Sequence, residues 1–509
     1  MKEKPSTVWI RPSTKKQLEK IGEKGESYED IILKLLKKDN PLLNFDLKGR
    51  KLYRQGVEAR PFFAYNPYFT ALAHFGKKSS IAWFYGKKNY SYWDEDIVTK
   101  EAKTFIKEHL QSGNHLHKTI DKWQALIETQ KKTETKIKDL KEKTNEEILN
   151  LLMELSNFLN ESWKIGLIIE LFDPNSEEII EEILNEHDKS NLGLKEFKIL
   201  CSLEKLTYIQ KETYELYSIA KSKKYNRLNE HAKKYFWISN SWADAKILTP
   251  DYFKAKITRL EQENVTFKKE LEKSQSHINE LKKQKDTILK NKKLTKEIKR
   301  AIEFFQLMTD WREKRKKWAL ISGHYMNELV KEISKRTNVP RELLMFSQHH
   351  ELTIPLNQKY INLLKDRSNF CLLFYEGDEK RLITGEKAKQ FIEEIKSEQQ
   401  SSGKRIYGNV ANPGKIEGIA KIIFTTDDLY KMQEGDILVS PCTRPEYVSA
   451  MKKASAILTD EGGITSHAAI VSRELSVPCI VGLRQATDLI KDGDKLEVNA
   501  NHGIVIVKK

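Results

Sequence analysis

The period of the apolar positions changes several times along the chain. Thr7-Val8-Trp9-Ile10-Arg11 alternates and predicts one short strand. Pro12-Ser13-Thr14 starts a helical run through Ile21. Gly22 and Gly25 interrupt it, and Ser27 is placed to cap a second run through Leu36. From there to about residue 396 the pattern is mostly helical, and proline is scarce: Pro174 alone lies between Pro67 and Pro250. Within this stretch Ile257, Leu260, Phe267, Leu271, Ile278, Leu281, Ile288, Leu294, Ile298 and Ile302 recur at spacings of 3, 4 and 7, with some breaks. That predicts a projecting coiled coil over 254–303, either a hairpin turning near Asn291 or one long helix. After residue 405 short β-branched runs alternate with brief helical stretches, the pattern of an α/β domain.

These shifts divide the chain into a strand–helix–helix module (1–40), a helical domain (41–396), a polar linker (397–404) and a C-terminal domain (405–509). Glycine follows the division, since 9 of the 22 glycines fall in the last 105 residues. A chain of 509 residues is long enough to build its cores without disulfide or metal staples. Its four cysteines, Cys201, Cys371, Cys442 and Cys479, are dispersed and form no CxxC pair. That argues against a disulfide framework or zinc ribbon and for a reducing cytoplasm. The N-terminus has no apolar leader, and no apolar run approaches the 18 residues of a membrane span, so no membrane association is expected.

The net charge of +16 raises nucleic acid as a partner. It is not spread evenly. Residues 254–317 carry 20 basic and 10 acidic side chains, whereas residues 405–509 carry 13 of each. The basic segment ends in Trp311-Arg312-Glu313-Lys314-Arg315-Lys316-Lys317-Trp318. It reads either as a solvated helix face or as a nucleic-acid contact with the tryptophans available for stacking. On this partition, neutralising Lys314, Arg315, Lys316 and Lys317 should leave any chemistry of the neutral C-terminal domain intact. The aromatic stretch 61–69 reads as pocket lining or as core. His349-His350 has no cysteine or spaced carboxylate nearby, so no metal site is predicted.

The first 40 residues resemble the ribbon-helix-helix family, in which strands pair across a dimer and enter the DNA major groove. By that resemblance Thr7, Trp9 and Arg11 face DNA, and the module supports self-dimerisation. Protein docking is the alternative.

The informative run is Ala456-Ile457-Leu458-Thr459-Asp460-Glu461-Gly462-Gly463-Ile464-Thr465-Ser466-His467-Ala468-Ala469-Ile470-Val471-Ser472-Arg473-Glu474. A strand ends at Thr459, Gly462 and Gly463 make a turn, and Thr465 or Ser466 caps a helix. His467 then sits in the first helical turn, where backbone N–H groups and the positive helix end disfavour imidazolium and favour an attached phosphate. The arrangement fits a phosphoryl acceptor.

This run, followed by Val477-Pro478-Cys479-Ile480-Val481-Gly482, resembles the swivelling phosphohistidine domain of phosphoenolpyruvate-utilising enzymes. That family includes phosphoenolpyruvate synthase, pyruvate phosphate dikinase and rifampicin phosphotransferase. The resemblance extends over the last hundred residues, through Gly408–Gly414 and the segment Pro441-Cys442-Thr443-Arg444-Pro445-Glu446-Tyr447. It implies a β/β/α fold with His467 as the phosphorylated residue, and Thr443 and Arg444 on the neighbouring loop. Arg444 stands where the family more often has a small or hydroxyl residue. Residues from about 300 to 355, through a pattern running from Arg312 to Leu352, bear a fainter likeness to the helical substrate-binding domain of rifampicin phosphotransferase-like enzymes. Nothing in the chain resembles the ATP-grasp fold that loads the histidine in this family. The resemblance therefore implies a phosphotransferase component that binds no cofactor itself and meets ATP and Mg through a separate ATP-grasp partner. The alternative is a DNA-binding or scaffolding regulator whose swivelling domain senses phosphate or is a relic.

Overall fold

The computed structural model describes residues 52–58, 80–85, 88–172, 175–240, 245–262, 264–376, 379–386, 388–389, 405–463 and 466–508. The N-terminal module with Thr7, Trp9 and Arg11, the aromatic stretch 61–69 and the linker 397–404 lie outside these residues.

The helical region holds a sheet that the sequence pattern did not predict. Strands β1 (Leu52–Glu58), β2 (Ser80–Tyr85), β3 (Lys88–Asp94), β4 (Cys371–Glu376) and β5 (Glu379–Thr384) form one antiparallel sheet in the order β1-β3-β2-β4-β5. The pairing of β2 with β4, with Ala82 opposite Leu373, joins the two ends of the region. Between these strands run α1 (Glu95–Ser112), α2 (His115–Lys136), α3 (Asn145–Gly166), α4 (Ser176–His187), α5 (Leu194–Cys201), α6 (Tyr208–Ser222), α7 (Leu228–Tyr235), α8 (Pro250–Gln262), α9 (Phe267–Asn291), α10 (Lys296–Thr337) and α11 (Gln358–Asn369).

The expected coiled coil over 254–303 is three separate helices. The turn does fall after Asn291, but α9 packs on α6 and α5, and the 42-residue α10 enters the core. Thr295 caps α10 by accepting from the Ile298 N–H at 3.3 Å. Ile298, Ala301, Phe304, Phe305, Met308 and Trp311 are buried, and the apolar surface continues through Ile333. So wide a face needs several neighbours rather than one coiled-coil partner. α10 lies against α1, α2, α3, α4 and α5. Trp123 and Trp311 meet edge to face at 6.0 Å in this core.

The C-terminal unit is one eight-stranded sheet. Its strands are β6 (Arg405–Tyr407), β7 (Asn409–Asn412), β8 (Lys415–Ile422), β9 (Ile437–Ser440), β10 (Ala456–Thr459), β11 (Cys479–Val481), β12 (Lys495–Asn499) and β13 (Ile504–Lys508), in the order β6-β13-β12-β8-β9-β10-β11-β7. β8, β9, β10 and β11 run parallel, and antiparallel strands complete both edges. β9 and β10 are buried throughout, because both faces are covered. Ile437, Val439, Ala456 and Leu458 enter one apolar core. Leu438 and Ile457 enter the other, with Met451 of α12 (Val448–Lys453) and Ala468 and Val471 of α13 (His467–Leu475). Parallel strands of this kind present ligand-binding loops at their carboxyl ends. Here those loops follow Ser440 and Thr459 and lead to His467.

Among the described residues no helix is long and apolar enough to cross a membrane.

Candidate phosphoryl-transfer site

The two loops are tied to each other. Asp460 N–H donates to the Ser440 carbonyl at 3.1 Å and Glu461 N–H to the Pro441 carbonyl at 2.9 Å. The Ser440 hydroxyl donates to the Cys442 carbonyl at 2.8 Å, and the Thr459 hydroxyl to the Glu461 carbonyl at 2.7 Å. These bonds seat Thr443 next to the start of α13. Its hydroxyl oxygen lies 3.0 Å from Nδ1 of His467.

Ser466, one of the two cap candidates, is the N-cap of α13 and accepts from the Ala469 N–H at 3.4 Å. Thr465 lies outside the described residues. Gly462 has φ +102°, and a Cβ there would sit 2.8 Å from Ser466 Cβ. Glycine is thus required twice, for the left-handed backbone and for the approach of the cap. Gly463 is buried, and its carbonyl accepts from the Ser466 N–H at 2.9 Å. Arg444 is buried too, and its guanidinium lies beside Cys442.

His467 is half-buried and borders a cleft of about 1830 Å³ between the C-terminal unit and the helical region. Burial, and then the ammonium of Lys316, hold its imidazole far below the usual value, at about 3. The ring is therefore neutral across the physiological range. Cys442 is no rival nucleophile. Burial and then Glu461 push its thiol up to about 12, and only the thiolate would react.

Lys316 belongs to α10, so the basic run reaches the histidine. This overturns the expectation that the charge on 254–317 and the chemistry of the neutral domain are separate. A sum over a segment does not reveal which lysine meets another part of the fold. Neighbouring charges of the run have structural roles. Arg315 is buried, ion-paired with Glu170, and donates to the Gly166 carbonyl at 2.8 Å. Lys314 pairs with Asp310 at 2.9 Å. Trp311 is 1% exposed and so not open for stacking on a nucleotide, and Trp318 lies beneath Lys131 and Lys317. The α6 residues Tyr208 and Ile209, together with Trp237, also reach the site and line a smaller pocket of about 100 Å³ at His467. None of them stood out in the sequence, because each belongs to an ordinary amphipathic pattern. The side chains of Gln210 and Glu474 are hydrogen-bonded across the same junction.

Among the described residues no group of three or more His, Cys, Asp or Glu is placed to hold a metal ion.

The parallel-strand loops and the capped histidine bring the site together at one end of the mixed sheet. Residues 432–503, within the C-terminal unit, match the family model of the PEP-utilising enzyme, mobile domain. Among individual proteins the chain is similar to a probable phosphoenolpyruvate synthase of Archaeoglobus fulgidus, at 46% identity over 131 residues. That match covers 26% of this chain and 17% of the relative. The phosphoenolpyruvate synthase of Pyrococcus furiosus is 52% identical over 95 residues, 19% of this chain and 12% of the relative. An uncharacterised phosphotransferase of Bacillus subtilis, YvkC, is 35% identical over 120 residues, 24% of this chain and 14% of the relative. The chain thus matches less than a fifth of the length of each of these relatives. The comparisons lend no support to the ribbon-helix-helix resemblance of residues 1–40.

Proposed function

We propose that this chain is a phosphotransferase component of the phosphoenolpyruvate synthase type, with Nε2 of His467 as the transient phosphoryl carrier. The observation that carries the reading is the contact of Thr443 Oγ1 with His467 Nδ1. In the tautomer this reading assigns, the Nδ1–H donates to the threonine oxygen, which leaves the lone pair on Nε2 available for attack. A neutral ring at the start of a helix gives both a nucleophile and a favourable place for the charge it acquires.

In the loading step the Nε2 lone pair forms an N–P bond to the terminal phosphorus of a nucleoside triphosphate. The P–O bond to the bridging oxygen breaks, and its electron pair leaves on the nucleoside diphosphate. In the delivery step an acceptor oxygen attacks the same phosphorus. The N–P electrons return to Nε2, and the acceptor's proton passes to water. The triphosphate is positioned by a separate ATP-grasp partner, because transfer from ATP depends on groups that align the phosphates. Mg²⁺ belongs to that partner, and no step here is routed through it. The acceptor binds in the cleft beside His467.

The test is to incubate the purified chain with an ATP-grasp partner, Mg²⁺ and ATP labelled on the terminal phosphate. An acid-labile, alkali-stable label that His467→Ala lacks supports the reading. Equal labelling of His467→Ala sinks it.

A further inference from the structure

Two cations on α10 face the small pocket at His467. Lys316 acts on the His467 ring and on Cys442. Lys317 is half-buried, with its amine 5.2 Å from the Tyr208 ring centre, 5.9 Å from that of Trp237 and 5.3 Å from that of Trp318. Among the described residues neither lysine has an ion pair. Glu313 lines the same pocket without an ion pair to either of them. Burial, and then Lys131, Lys234 and Lys211, push the Lys317 amine below the usual lysine range; Lys131 is itself paired with Glu128 and Lys234 with Glu215. Partly dehydrated cations without counter-charge are costly unless an anion joins them. Unmodified His467 is neutral and cannot supply one.

We propose that Lys316 and Lys317 form a phosphate-binding site on the helical region that receives the phosphoryl group carried by His467, so that loading the histidine fastens the mobile domain to α10 and unloading it releases the domain. This rests on the reading of His467 as the carrier. A phosphohistidine brings up to two negative charges into a pocket that holds two unpaired ammonium groups. Charge-assisted hydrogen bonds of this type shift an equilibrium by about tenfold or more. The bare histidine offers nothing comparable. The site therefore distinguishes the loaded domain from the empty one, which gives the carrier a direction.

The experiment uses the full chain and a small chemical phosphoryl donor, phosphoramidate, so that no partner protein is needed. After desalting, ³¹P NMR reads the N–P bond, and His467→Gln identifies which signal belongs to His467. The same samples are acetylated with limiting acetic anhydride and the lysines are read by peptide mass spectrometry, with Lys141 as an exposed control. The expected result is a severalfold drop in acetylation of Lys316 and Lys317 on phosphorylation. Lys141 should not change, and His467→Gln treated identically should show no drop. Phosphorylation of His467 with unchanged Lys316 and Lys317 reactivity overturns the phosphate site and leaves the carrier reading standing. Failure of His467 to take up the group while other histidines do overturns the carrier reading, and the phosphate site with it.

Discussion

Thr443 and His467 come from two different loops, yet the threonine hydroxyl lies 3.0 Å from the ring nitrogen Nδ1. The contact exists because the parallel strands β9 and β10 end side by side and their loops are bonded to each other. It turns Nδ1 toward the threonine, and in the proposed reading it leaves Nε2 for phosphorus.

Thr443→Val keeps the volume and removes the oxygen. A typical net hydrogen-bond contribution of about 1 kcal/mol sets the expected loss near fivefold to tenfold in the rate of His467 phosphorylation. Thr443→Ser should retain most of the rate. Rapid-quench labelling measures both, and a wild-type rate in Thr443→Val contradicts the assigned role.

The pKa of His467 gives a signed pH effect. The folded value is about 3 against an ordinary 6.5, so between those values the unfolded chain binds more protons than the folded one. Any stability that depends on the neutral ring is complete above about pH 6.5 and declines as the pH falls toward 3. NMR of the imidazole should therefore report a neutral ring at pH 5. Lys316→Met should raise the titration midpoint without restoring 6.5, since burial is the larger cause. A midpoint near 6.5 in the wild type contradicts the geometry.

Gly462→Ala puts a Cβ at 2.8 Å from Ser466 Cβ on a backbone with φ +102°. The expected cost is roughly 1–3 kcal/mol by thermal unfolding, with loss of His467 labelling. Ser466→Ala, which removes only the cap, should cost about 1 kcal/mol. The double variant should cost less than the sum, because both changes disturb the same turn.

Arg315 and Lys316 are adjacent but should behave differently. Arg315→Met removes the cation paired with buried Glu170 and should destabilise the helical core by about 3–5 kcal/mol. Adding Glu170→Leu should recover part of that loss. Lys316→Met has no such partner to strand and should leave the unfolding midpoint nearly unchanged. Differential scanning calorimetry separates the two.

The histidine turn was legible because its signals are local: strand, paired glycines, hydroxyl cap and helix follow one another over residues 456–475. The five-stranded sheet was not. Ile81-Ala82-Trp83-Phe84-Tyr85 and Cys371-Leu372-Leu373-Phe374-Tyr375 are rich in strand-forming residues, but their pairing spans the whole helical bundle, and a mostly helical pattern masked them. The coiled-coil reading failed for a related reason. The spacing of Ile298 and Ile302 is compatible with a seam, whereas Phe304, Phe305, Met308 and Trp311 widen the apolar face into a core helix. Lys316 was visible as charge but not as part of the site, since its role depends on how the C-terminal unit rests against α10.

The most direct test of the central claim is the position of the phosphoryl label. With an ATP-grasp partner, Mg²⁺ and labelled ATP, peptide mapping under alkaline conditions should place an acid-labile phosphoryl group on His467 alone, and His467→Ala should carry none. Label on another residue, or undiminished label in His467→Ala, contradicts the account.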